Sequence, residues 1–156
     1  MGIDTKARLI GHIEHDKIAE FVKSRFGYRI RTCINTNSYN YPTNLDIYAD
    51  YTQTGRWDIK SGFIDLIVDD TGMGNRSIFY CKNNLNTLEN YDYYEKHHPE
   101  LVEMVKAETT FLSMRKDDFA IEVIGAIVDE FGGWFCEDDC GDKFYRVVGK
   151  REASPA

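Results

Sequence analysis

Residues 109–136 read TTFLSMRKDDFAIEVIGAIVDEFGGWFC, and the architecture follows from them. Its opening, TTFLSMR, is rich in β-branched and aromatic residues, which predicts a strand. Phe119, Ile121, Val123, Ile124, Ala126, Ile127 and Val128 then leave almost no polar face, so residues 118–131 read as a buried helix with Asp118 as its cap. Gly132 and Gly133 stop that helix, and Trp134 to Cys136 opens another strand. A strand that feeds a buried helix and returns as a strand needs a sheet for the helix to lie on.

The same order occurs near the N-terminus. Residues 7–13 alternate Ala7, Leu9, Gly11, Ile13 against Arg8, Ile10, His12, the period of a strand with one face covered. Asp16 is placed to cap a helix whose apolar face is Ile18, Phe21, Val22 and Phe26, and Gly27 ends it. Tyr28, Ile30, Thr32 and Ile34 then face one way and Arg29, Arg31 and Cys33 the other. An aromatic followed by glycine is ordinary punctuation for a helix that returns to a sheet, so this repetition reads as shared physics rather than duplication.

Residues 35–44 (NTNSYNYPTN) are turn formers and predict a loop. Further strands are expected over 45–51, 62–69 and 76–82, the last two joined by a turn over 70–75. Asn86 with Glu89 resembles a capping box, and Pro99 opens a helix carrying Leu101, Val102, Met104 and Val105. Residues 134–136 and 143–148 make a closing hairpin around an acidic turn. The expectation is one α+β domain over residues 1–150: a mixed, mostly antiparallel sheet of about six to eight strands with helices packed on it. Residues 151–156 read as a frayed tail.

Composition bounds the function. With 156 residues, 42% hydrophobic and 29% charged, the chain is neither disordered nor collagen-like nor a coiled coil. It holds no apolar run of the ~18 residues needed to span a bilayer and no apolar leader, so a cytoplasmic location is expected. Residues 1–78 contain ten basic and ten acidic side chains, whereas 79–156 contain nine basic and sixteen acidic, so the whole net charge of −7 lies in the second half. Such a half repels nucleic-acid phosphates and anionic membranes and favours a basic macromolecular partner.

Catalytic signatures are missing. Cys136 and Cys140 are a close pair without a second pair for zinc, and Cys33 and Cys81 read as small apolar strand residues. The turn Glu137-Asp138-Asp139-Cys140-Gly141-Asp142 lacks calcium-loop spacing. Asp65, Asp69 and Asp70, or Asp46 and Asp50, sketch a metal-dependent hydrolase, yet no phosphate-gripping motif accompanies them. No catalytic residue, metal or cofactor is therefore assigned. Two binding readings remain. An acidic surface of Glu130, Glu137, Asp138, Asp139 and Asp142, with Trp134 and Tyr145 as apolar anchors, suits a Lys/Arg-lined groove. Alternatively Arg29 and Arg31 with Tyr48, Tyr51 and Trp57 suit sequestration of a nucleotide.

Residues 106–145, through the Thr-Thr-Phe-Leu-Ser strand, the apolar helix, Phe131-Gly132-Gly133-Trp134 and the acidic turn with Cys140, resemble the C-terminal part of small accessory proteins of bacteriophages and prophages. The resemblance implies a setting: such proteins often block host enzymes or immune systems by binding them. An anti-CRISPR or similar inhibitor of a bacterial defence nuclease, acting as a nucleic-acid mimic, is the sharpest form of the expectation.

Overall fold

A computed structural model describes residues 3–41, 55–68, 74–82, 95–97, 99–107, 109–138 and 144–149. The expected strand over 45–51, the capping box at Asn86 and the tail over 151–156 lie outside the described residues. β1 (Asp4–Ile10), β2 (Arg29–Tyr41), β3 (Gly55–Ile67), β4 (Arg76–Lys82), β5 (Thr109–Arg115), β6 (Gly133–Cys136) and β7 (Tyr145–Val147) form one sheet in the order β2-β3-β4-β5-β1-β6-β7. Every neighbouring pair in it is antiparallel. Helices α1 (His15–Phe26), α2 (Pro99–Lys106) and α3 (Asp118–Phe131) accompany the sheet, residues 95–97 are helical too, and the α+β class read from the sequence holds. No helix among the described residues is long and apolar enough to cross a membrane.

Strand alternation sorts side chains to two faces. On one face Ala7, Leu9, Ile64, Leu66, Ile78, Tyr80, Leu112 and Met114 meet Ile18 and Val22 of α1 and Val123, Ile124, Ile127 and Val128 of α3 in a single apolar core. The two helices touch through Phe21 and Phe131, edge to face at 5.9 Å. The loop from β1 to α1 is tied down by Tyr80, whose hydroxyl donates to the Ile13 carbonyl at 2.6 Å, and by Thr110, whose hydroxyl donates to the Gly11 carbonyl at 2.8 Å.

Four expectations shift. The first strand begins three residues earlier than predicted, because Thr5 shares the buried alternation with Ala7 and Leu9 and Lys6 pairs with Ser113. Glu14, not Asp16, occupies the cap position of α1, and its side chain makes no capping bond there. Asp117, not Asp118, caps α3 by accepting from the Ala120 amide at 2.8 Å. Residues 35–41 are strand instead of loop: β2 runs to Tyr41 against β3, which starts at Gly55, so cross-strand pairing overrides the turn-forming bias of Asn, Ser and Thr.

Candidate functional site

β6 and β7 form one end of the sheet and come from the acidic half of the chain. β6 is wholly buried and leads into the exposed Glu137, whose carbonyl accepts from the Thr5 hydroxyl at 2.9 Å. Asp138 follows, accepting from Lys116 Nζ at 3.2 Å, while its carbonyl accepts from the Cys136 thiol at 3.1 Å. Tyr145 pairs with Phe135 across the two strands, the rings edge to face at 5.5 Å, yet it is 51% exposed. Partial burial pushes the Tyr145 hydroxyl above its ordinary pKa, and the carboxylates of Glu137 and Asp129 add to that by repelling a phenolate. Val148, 65% exposed, stands three residues beyond Tyr145. The exposed Tyr145 ring, under the charges of Asp129 and Glu137, makes an apolar contact point with an acidic surround.

Several predicted site residues sit elsewhere. Trp134 is 2% exposed, so it packs inside the protein and is no surface anchor. Glu130 is half-buried on α3, and Asp139 and Asp142 lie outside the described residues. Asp129 was missed by the sequence reading; its place two residues before Phe131 was the available signal, since the end of α3 returns beside β6 and β7.

The alternative residues do not converge. Arg29 and Arg31 are exposed on the outer strand β2, and Arg31 pairs with Asp65 at 3.4 Å. Trp57 has its backbone in β3 opposite Tyr39, while Tyr48 and Tyr51 lie outside the described residues. Asp65 accepts from the Ser77 hydroxyl at 2.6 Å as well as from Arg31, which employs both of its oxygens in cross-strand contacts. Asp46, Asp50, Asp69, Asp70 and Cys140 lie outside the described residues, among which no group of three or more metal-binding side chains occurs. Cys33 is exposed and Cys81 buried, so only the second behaves as a small apolar strand residue.

Two carboxylates elsewhere are engaged structurally. Glu14 bridges Lys82 and, at 3.5 Å, Lys60; the Lys82 contact chiefly holds its carboxyl below the usual range. Asp117 pairs with Arg76, which depresses its pKa in the same way. No family model, no curated protein and no solved structure matches this chain.

Proposed function

We propose that this protein is a non-enzymatic inhibitor that binds a cationic macromolecule through the acidic patch around Tyr145. Its setting in this reading is the cytoplasm of a bacterium carrying a phage or prophage, and its target a nucleic-acid-handling defence factor whose basic groove the carboxylates occupy. The observation that carries the reading is the exposed Tyr145 ring at the end of the sheet, whose hydroxyl is held above its ordinary pKa by partial burial and by the charges of Glu137 and Asp129. The concentration of the −7 net charge in residues 79–156 supports it independently. Carboxylates steer a basic partner and the exposed ring supplies contact area at low entropic cost. The phage setting and the anti-CRISPR form rest on the resemblance of residues 106–145.

The test is capture from a bacterial lysate with the tagged wild type and with a triple Asp129→Lys, Glu130→Lys, Glu137→Lys variant, both shown to melt alike. The wild type retains a nucleic-acid-binding protein that added duplex DNA releases, and the variant retains none. Prey held equally by both proteins, or indifferent to DNA and salt, excludes mimicry.

A further inference from the structure

The sheet face opposite α1 and α3 is chemically unlike the apolar core. Register places Cys81 of β4, Phe111 of β5, Arg8 of β1, Trp134 of β6 and Arg146 of β7 in one row across five strands. The Arg8 guanidinium lies 4.8 Å from the Phe111 ring centre, and its Nη1 reaches only the Thr109 hydroxyl, at 3.4 Å. Arg146 lies 5.0 Å over the Trp134 ring, with its Nη1 directed to the carbonyls of Val147 and Gly133 at 2.8 and 3.4 Å. The backbones of β1 and β6 approach closely here, since a Cβ on Gly133 would stand 2.1 Å from the Arg8 carbonyl oxygen.

Two strong donors in this row are under-satisfied: Trp134 has no acceptor, and Arg8 has only the Thr109 hydroxyl. The Trp134 indole N–H is buried without a hydrogen-bond partner. Arg8 is half-buried and forms no ion pair with any carboxylate among the described residues; loss of water around it pulls its pKa down to about 10, against a smaller opposing effect of Cys81. Taking a cation from water without a counter-charge is costly, as is burying an N–H without an acceptor, and a cation–π contact offsets only part of that. Arg8 and Trp134 are direct cross-strand partners, which puts their Cβ atoms roughly 5 Å apart on the same face.

We propose that Arg8 and Trp134, with the Thr109 hydroxyl beside them, form a binding site for an oxyanion, a phosphate or carboxylate group carried by a small ligand. An anion with two or more oxygens carries acceptors enough for both donors, and guanidinium is the cation whose geometry suits an oxyanion. The site lies on the sheet face opposite the apolar core, where Trp134 is buried and Arg8 half-buried, and does not rest on the acidic patch at Tyr145, so either assignment stands without the other. A local cationic site in a chain of net charge −7 is selective by position rather than by overall attraction.

The chain has two tryptophans, so a Trp57→Phe background leaves Trp134 as the sole indole reporter. That protein is titrated with inorganic phosphate, adenosine monophosphate and acetate while indole emission and melting temperature are followed. Emission shifts and the melting temperature climbs with the logarithm of anion concentration; adding Arg8→Met removes both responses, and Arg8→Lys weakens them. Without anion, Arg8→Met melts at or above its parent, because an unpaired cation has been replaced by an apolar chain. Equal phosphate and nucleotide responses identify the bare oxyanion, a much tighter nucleotide response a nucleoside phosphate, and a response to acetate alone a carboxylate ligand. A parent protein that ignores all three anions, or an Arg8→Met protein that responds as its parent does, overturns the site.

Discussion

β1-α1-β2 and β5-α3-β6 follow one plan and reach opposite ends of it. Each helix stops at a glycine near φ +80°, Gly27 or Gly132, whose amide donates to the carbonyl four residues back, Lys23 or Val128. An aromatic precedes that glycine in both, Phe26 in one and Phe131 in the other. Beyond this the units part. α3 crosses only β1 to join β5 to β6; it contributes five buried side chains and ends in a strand buried at every residue. α1 crosses β5, β4 and β3, buries only Ile18 and Val22, and delivers the chain to β2 at the sheet's outer edge. Local sequence sets where each helix stops, and place in the sheet sets how deeply it is buried.

That contrast is open to measurement. Ile124→Ala in α3 should lower unfolding free energy by about 3–4 kcal/mol, and Val22→Ala in α1 by about 2, both read from urea denaturation. An equal cost at the two positions would mean that α1 is as integral to the core as α3. Caps come next. Asp117→Ala should cost about 1 kcal/mol through the lost bond to the Ala120 amide. Glu14→Ala removes no capping bond; it loses the Lys82 and Lys60 pairs, so its cost of about 0.5 kcal/mol should fade in high salt.

The smallest effect is the most discriminating. Asp117→Asn keeps a capping side chain but loses the Arg76 ion pair, at a cost of a few tenths of a kcal/mol near neutral pH. The Asp117 pKa is depressed in the folded protein, so its ionic contribution is present above the unfolded value near 3.8 and disappears as pH falls through the lower folded value. Stability curves of the wild type and of Asp117→Asn should therefore converge in acid; a gap that persists there would assign the difference to packing.

Much of the fold was legible because apolar periodicity is a local signal. α3, β5 and the glycine stops could be read directly from residues 109–136. The course of β2 past Asn35 was not, since only pairing with β3 decides between strand and loop for a run of Asn, Ser and Thr. Asp117 and Asp118 are both good caps, and one residue of helix phase separates them. For the site, composition marked the acidic half, while exposure belongs to tertiary packing: Trp134 and Tyr145 look alike as candidate anchors, yet one is buried and the other open. Arg8 stood on the face expected to be wet, and its partial burial is visible only once the sheet is assembled.

The central claim is that the second unit presents the working surface at the end of β6 and β7. Its most direct test is the dissociation constant of the captured partner, measured across a range of salt for the wild type, the Asp129/Glu130/Glu137 triple lysine variant, and Glu20→Lys on the exposed side of α1. Affinity should fall steeply with salt, drop about 100-fold in the triple variant and change little in Glu20→Lys. Affinity that ignores salt and is the same in all three proteins would contradict it.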